Sequence, residues 1–185
     1  GCLIAITLLT APAQAQCGVP FIELSPHSGV PGTQVTIDGQ RFDASADVDI
    51  YYDGTLKATG TSDSGGDLSI NVTVPEGYKG IHTVLAEDED GKSASTYFTV
   101  KPGLTVTPEQ GPAGANVTVK GQGFAQNETG IELRYYLDGN YETMGSNITA
   151  NDKGSWKTRF SIPLSTRGEH KIDAQGTQSK LYDVQ

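Results

Sequence analysis

The sequence predicts an all-β protein with two tandem sandwiches that follow a short apolar N-terminal segment. Three observations predict this fold: the second half repeats the first, apolar and polar residues alternate, and glycine-containing turn dipeptides separate the alternating runs. Neither half shows the sustained 3.6-residue apolar period of an amphipathic helix. Each repeat is long enough to be a small domain with its own core.

The duplication is read from motifs that recur in the same order. Residues 22–42 reappear as residues 104–124, an offset of 104 − 22 = 82 residues. The pair Tyr51 and Tyr52 corresponds to Tyr135 and Tyr136, and residues 80–84 correspond to residues 168–172. The predicted organisation is a signal-peptide-like segment at 1–15, a lead-in at 16–21, a first domain at 22–101 and a second domain at 103–185, whose last strand is cut short.

The local pattern within each copy is that of a sheet. Val35 and Ile37, like the apolar residues of 68–74, occupy every second position and therefore project to one face of a strand. Dipeptides that accept positive φ lie between such runs, at 53–54, 65–66, 90–91 and 138–139. Roughly seven short strands in each copy indicate an immunoglobulin-like sandwich, because a half-buried sheet covers its apolar face with a second sheet.

The opening of the first copy carries a family resemblance. Residues 25–42 read S-P-x-S-G-x-P-G-T-x-V-T-I-x-G-x-x-F, with a weaker echo at 107–124, where Ala113 replaces the proline. This pattern resembles the IPT/TIG immunoglobulin-like domain. The resemblance implies a seven-stranded sandwich of the kind used in bacterial and archaeal surface proteins, receptor ectodomains and some transcription factors. It implies no common ligand, because function lies on variable loops.

The charge distribution argues against nucleic-acid binding. The chain carries a formal net charge of −9. Residues 22–101 contain 5 basic and 13 acidic side chains, a net of −8, whereas residues 102–185 contain 8 and 9, a net of −1. Binding to nucleic acid needs clustered lysine and arginine to displace counterions, and this sequence has no such cluster.

The N-terminal residues predict export. Residues 3–9 are largely apolar, and the small-residue run 11–15 that follows resembles a signal-peptidase site. The apolar stretch is too short to span a membrane, so we expect a secreted or cell-surface protein without a membrane span. The segment is either cleaved or retained. Cys2 and Cys17 are the two cysteines, and they provide no disulfide framework for the sandwiches.

Catalytic and cofactor motifs are not recognised in the sequence, so we expect a protein that is not an enzyme and has no cofactor. The densest acidic run places Glu87, Asp88 and Asp90 on a turn, where carboxylates are weak candidates for calcium ligands; a solvated hairpin is the simpler interpretation. Among the N-x-S/T sequons, Asn127 and Asn147 are the candidates for glycosylation.

Two functions of different classes fit these features. The first is a non-catalytic structural or adhesive module of a surface protein, layer or filament, with other protein chains, surface polymers or copies of itself as partners. The second is a carbohydrate-binding accessory module of a secreted enzyme. Tyr51 and Tyr135 are its candidate glycan contacts, because one ring of each tyrosine pair should face solvent.

Overall fold

The computed structural model describes residues 18–184. The segment 1–15 and both cysteines, on which the signal-peptide and lead-in predictions depend, lie outside these residues. No helix is assigned within 18–184, so the predicted all-β class is confirmed. The described part of the chain accordingly contains no helix long and apolar enough to cross a membrane.

The strands are short and follow one another closely. Their bounds, in chain order, are β1 Phe21–Ser25, β2 Ser28–Gly29, β3 Gln34–Gln40, β4 Asp47–Tyr52, β5 Thr55–Thr61, β6 Leu68–Thr73, β7 Gly80–Asp88, β8 Ser93–Val100, β9 Gly103–Thr107, β10 Asn116–Gln122, β11 Ile131–Leu137, β12 Asn140–Ile148, β13 Trp156–Ser161, β14 Ile172–Gln175 and β15 Lys180–Val184.

Four sheets form two sandwiches. In the first sandwich, the sheet β1-β3-β6 faces the sheet β2-β8-β7-β4-β5, and in the second, β13-β10-β9 faces β12-β11-β14-β15. All pairings are antiparallel except that of β2 with β8. Each sandwich has a separate apolar cluster, and we infer a domain boundary at residues 101–102.

The alternation predicted from the sequence is seen in both cores. Val35 and Ile37 on β3 are buried, as are Val117 and Val119 at the same places on β10. The strands of one sheet bury this face against the other sheet, since that is the arrangement that removes it from water. The polar residues between them face outward.

Close packing explains one glycine that both motifs share. Gly121 lies under the indole of Trp156, where an added Cβ would be 2.1 Å from the ring. Gly39 occupies the same place in the first sandwich, under the ring of Phe42, with a corresponding distance of 2.8 Å. Only a residue without a side chain fits between strand and ring at either position.

Candidate functional site

The two sandwiches meet at a junction built from a loop of the first and the facing end of the second. The loop comprises residues 75–80; it connects β6 to β7 and ends at Gly80, the first residue of β7. Lys79 donates its backbone N–H to Phe124 O at 2.8 Å and its ammonium group to Gln178 O at 2.6 Å. The hydroxyl of Ser155 donates to Glu76 Oε1 at 2.5 Å. These three hydrogen bonds join residues that are far apart in the sequence.

Glycines in the second sandwich allow this approach. A Cβ on Gly103 would lie 2.6 Å from Val30 Cγ1, and one on Gly123, whose φ is 66°, would lie 2.4 Å from Lys101 O and 3.1 Å from Pro31 Cδ. Any larger residue at either position would push the sandwiches apart. The junction therefore depends on backbone surfaces as well as on polar side chains.

A cleft of about 230 Å³ opens beside the junction. Its wall combines aromatic rings with groups of both charge signs. Tyr78, which is 42% exposed, provides the accessible aromatic face. The second sandwich contributes the loop that precedes β13. The charged lining residues are Asp53, Lys57, Glu76, Asp152 and Lys153, and the aromatic ones are Tyr52, Tyr78 and His82.

His82 holds the 75–80 loop to its own sandwich. The ring is 3% exposed and lies between two acceptors, with Nδ1 2.6 Å from Asp53 Oδ2 and Nε2 2.8 Å from Tyr78 O. It also stacks on the ring of Tyr52, with centroids 5.3 Å apart. These contacts fix the backbone that carries Glu76 into the junction.

Tyr52 places a buried hydroxyl beside this histidine. The residue is 7% exposed, and its hydroxyl has no hydrogen-bond partner among the described residues. Burial raises the pKa of Tyr52 well above its usual value, with further contributions from Asp53 and Tyr78. The phenol is therefore neutral at any physiological pH and is a potential hydrogen-bond donor at the inner wall of the cleft.

Comparison with known proteins identifies the first sandwich. The family model of the IPT/TIG domain matches residues 21–100, which span β1 to β8. The first sandwich is an IPT/TIG domain. The junction therefore joins an IPT/TIG domain to the sandwich that follows it. Most of the cleft wall belongs to the IPT/TIG domain. No match was found among curated proteins.

Several solved structures align with most of the residues of this chain at low sequence identity. A tetra-tandem repeat in the extending region of a large adhesion protein is 19% identical over 88% of this chain and 46% of its own, with a TM-score of 0.42. Invasin, a bacterial integrin-binding protein, is 18% identical over 87% and 37%, with a TM-score of 0.38. The γ-CGTase from Alkalophilic bacillus clarkii is 19% identical over 88% and 24%, with a TM-score of 0.34. The chain spans less than half the length of each of these structures.

The candidate calcium ligands in the IPT/TIG domain are not brought together as a metal site. Asp88 is buried, and its carboxylate accepts the backbone N–H groups of Asp43 at 3.1 Å and Lys92 at 2.8 Å. Glu87 and Asp90 are exposed. No group of three or more potential ligands within residues 18–184 is arranged to hold a metal ion. The carboxylate of Asp88 instead satisfies two backbone donors.

In the second sandwich, the two backbone N–H groups equivalent to those of Asp43 and Lys92 also donate to a carboxylate. This carboxylate belongs to Glu128, in the loop between β10 and β11. Glu128, which is 1% exposed, accepts the N–H groups of Ala125 at 3.1 Å, Gln178 at 2.6 Å and Ser179 at 2.8 Å. Ala125 and Ser179 stand where the IPT/TIG domain has Asp43 and Lys92. The place of Asp88 is taken by Gly176, where an added Cβ would be 2.1 Å from Glu128 Oε1. Burial raises the pKa of Glu128, but the hydrogen bonds from the Ser179 hydroxyl and from the backbone N–H groups lower the pKa by more.

The two candidate tyrosines have different surroundings because the strand registers differ from the sequence alignment. Tyr52 pairs with Val84, and Tyr135 pairs with Ile172, which occupies the place of Val84. Tyr135 is therefore the counterpart of Tyr52 and not of Tyr51. β11 continues for two residues past Tyr135 before its Asp-Gly turn, whereas β4 ends at Tyr52, and this difference in strand length displaced the sequence alignment.

Burial follows this register. Tyr135 lies in the second core at 4% exposure, with its hydroxyl 3.2 Å from Ser165 Oγ, so it is not placed to meet a glycan. Tyr51 is partly exposed, and its hydroxyl lies 3.3 Å from Asp49 Oδ2. Only Tyr51 of the two candidates remains a surface position, and it is not among the residues that line the cleft.

The glycosylation candidates are both on the surface. Asn127 is exposed at a φ of 54° in the loop between β10 and β11. Asn147 is also exposed at a φ of 54°, but it lies within β12, close to an irregular register with β11, instead of in a loop. Glycosylation at these two positions stays a prediction.

Sequence reasoning did not find the junction or the cleft. Glu76, Lys79 and Ser155 belong to no recognised motif, and their contacts cross up to 99 residues of sequence. One available signal was the equal length of the 75–80 and 163–168 loops, each of which is followed by a histidine, His82 and His170. Because function in this fold lies on loops, a loop conserved in length between two copies marks a constrained surface.

Proposed function

We propose that this chain is a non-catalytic segment of a secreted or cell-surface protein in which the two sandwiches act as one semi-rigid spacer and contact unit. The contact between the sandwiches at the junction carries this proposal. Lys79 uses both its backbone and its side chain there, and Gly103 and Gly123 admit the IPT/TIG domain to van der Waals distance. The connection consists only of residues 101–102, of which Pro102 restricts the backbone.

The charge distribution supports an extracellular spacer. The first half carries most of the net negative charge, which favours solubility and disfavours contact with phosphate polymers. Partners of such a unit would be protein chains or surface polymers, including further copies of the chain. Adhesive contact would use loops and exposed strands, since both cores are occupied by packing.

Spin labelling of the full chain tests the spacer function. In a background with both cysteines changed to serine, Tyr97→Cys and Tyr141→Cys place one label on each sandwich, at side chains that are 65% and 49% exposed. We expect pulsed electron paramagnetic resonance to give a narrow distribution of the distance between the two labels. The control carries a flexible glycine-serine insertion between Pro102 and Gly103 and should give a broad distribution. Equally broad distributions in both chains would refute the semi-rigid spacer.

A second candidate function, carbohydrate binding as an accessory module of a secreted enzyme, is favoured by the cleft. A sugar ring needs an aromatic face together with hydrogen-bond donors and acceptors. Tyr78 offers the face, Lys57 and Lys153 offer donors, and Asp53 and Asp152 offer acceptors. A volume of about 230 Å³ suits a small saccharide unit.

A glycan array distinguishes the two functions. If carbohydrate recognition is the function, we expect binding to be lost in Tyr78→Ala and kept in Tyr97→Ala, which removes an exposed ring that does not line the cleft. Loss in Tyr51→Ala instead would place the glycan on the sheet surface. Absence of binding to any glycan by the unmodified chain would remove this second function and leave the spacer.

A further inference from the structure

The second sandwich repeats the loop that the IPT/TIG domain uses at the junction. The 163–168 loop has the same length as the 75–80 loop, and the same histidine brace holds it. His170 Nε2 lies 2.8 Å from Thr166 O, as His82 Nε2 lies 2.8 Å from Tyr78 O. Each ring also stacks on a buried tyrosine of its own sandwich. The two loops therefore share the contact between ring and loop carbonyl and the stacked tyrosine. The other ring nitrogen differs, since His82 Nδ1 lies 2.6 Å from Asp53 Oδ2 and His170 Nδ1 lies 3.3 Å from Tyr136 O.

The repeated loop presents a surface suited to contact. Leu164, at the place of Glu76, is 91% exposed, the highest exposure among the large apolar residues named as exposed in residues 18–184. Arg167, at the place of Lys79, is also exposed, so a backbone N–H and a long cationic side chain occur again at the same positions. A fully exposed leucine beside a loop of fixed shape indicates a surface that another molecule covers.

A second copy of this chain does not provide the receiving surface. At the corresponding end of the IPT/TIG domain, Phe21 and Arg41 replace Gly103 and Gly123. The guanidinium of Arg41 lies over the ring of Phe21 at 5.3 Å from its centroid, so the space that admits a neighbour at the junction is filled. The receiving end of the second sandwich is already occupied by its own IPT/TIG domain.

We propose that the 163–168 loop is a docking surface for a further immunoglobulin-like sandwich in tandem. This proposal rests on the proposed spacer function and extends it. The receiving end of that sandwich has the features of the second sandwich's end: glycine at the places of Gly103 and Gly123, and a backbone carbonyl at the place of Phe124. Opposite Leu164, where Ser155 meets Glu76 at the junction, it presents an apolar group. The interface continues the internal junction with the same polarity.

The strand register defines a chain that tests this proposal. Val184 pairs with Ile172, as Thr96 pairs with Val84, so Val184 stands at the place of Thr96 in the IPT/TIG domain. A second copy of residues 98–185 attached after Gln185 therefore extends the last strand with residues 98–100, supplies the connection 101–102 and adds a third sandwich. In the appended copy, Ser155→Ala provides the apolar group opposite Leu164. The fusion leaves every residue of the original chain in place.

The measurement is amide hydrogen exchange at Arg167, read by NMR in the original and the extended chain. The amide of Lys79, which donates to Phe124 O in both chains, is the internal reference. We expect exchange at Arg167 to slow by about tenfold or more in the extended chain. Changing Gly103→Phe and Gly123→Arg in the appended copy recreates the filled end of the IPT/TIG domain and should restore fast exchange.

An alternative extended chain keeps the test valid if the first appended copy misfolds. It appends residues 98–102 followed by residues 21–100 with Phe21→Gly and Arg41→Gly, and with Asp67→Ala at the place of Ser155. Its control appends the same residues with Phe21 and Arg41 unchanged. Unchanged exchange at Arg167 in both designs, with Lys79 still protected, would overturn the docking proposal while leaving the spacer function standing. Concentration-dependent dimerisation of the original chain that Leu164→Asp abolishes would also overturn it, because a second copy would then be the occupant.

Discussion

Asp88 in the first sandwich and Glu128 in the second bind equivalent backbone amides from different positions. We therefore predict that the arrangement of the first sandwich can be rebuilt in the second. Glu128→Ala leaves the backbone N–H groups of Gln178 and Ser179 without an acceptor, whereas the N–H of Ala125 keeps the hydroxyl oxygen of Ser179 at 2.9 Å. Each buried donor left unsatisfied costs about 1–3 kcal/mol, so we expect the two donors together to cost the second sandwich about 2–6 kcal/mol. Gly176→Asp alone should also destabilise, because its Cβ would be 2.1 Å from Glu128 Oε1.

The double variant Glu128→Ala with Gly176→Asp rebuilds the arrangement of the IPT/TIG domain, in which Asp88 stands opposite Ala46. The new carboxylate should reach the amides of Ala125 and Ser179, so we expect the double variant to recover about half or more of the lost free energy. The hydrogen bond of the Gln178 amide is not recovered, since Asp88 binds only two amides.

Urea denaturation measures this cycle. Trp156 is the single tryptophan and is buried in the second core, so its fluorescence follows the second sandwich. Lys157→Gln, a change at an exposed position of the same sandwich, serves as the control for a neutral substitution. If the losses in free energy of unfolding of the two single variants simply add in the double variant, an aspartate introduced at position 176 does not replace Glu128 as the acceptor, and the reasoning is refuted.

Three further predictions concern the same structural features. The pKa of Glu128 is lowered on folding from its ordinary value of 4.5, so its contribution to stability is present above that value and is lost as pH falls through the folded pKa; the stability difference between the unmodified chain and Glu128→Gln should therefore shrink in acid urea titrations. His82→Ala removes the brace of the 75–80 loop, and we expect faster amide exchange at Lys79; unchanged exchange would show that the junction does not need the histidine. Because the carboxylate of Asp88 caps backbone amides, we expect the melting temperature to be the same with calcium and with a chelator, and a calcium-dependent rise would revive Glu87 and Asp90 as ligands.

Much of the fold follows from local chemistry that is readable in the sequence. Asp53 and Gly54 adopt φ values of 46° and 74°, and Asp138 and Gly139 adopt 45° and 83°, as their turn-forming dipeptides predict. The alternating runs form strands whose apolar faces build two cores. These features depend on neighbouring residues, and therefore one chain was enough to predict them.

The candidate site was less accessible for a physical reason. The burial of Tyr135 depends on its pairing with Ile172, and the two extra residues of β11 after Tyr135 displaced that pairing from the sequence alignment. Asp88 reads as a candidate metal ligand in an acidic run, yet its partners are the backbone amides of Asp43 and Lys92. Composition alone does not indicate whether a carboxylate faces water or caps a loop.

The sequence by itself determined the class, the duplication and the turns, since propensity and side-chain alternation act over a few residues. Tertiary structure decided which groups meet: Lys79 with Phe124 and Gln178 at the junction, and Glu128 with Ser179 inside the second sandwich. These contacts join loops from different parts of the chain, and their hydrogen bonds form only after both cores have packed and brought the loop ends into register.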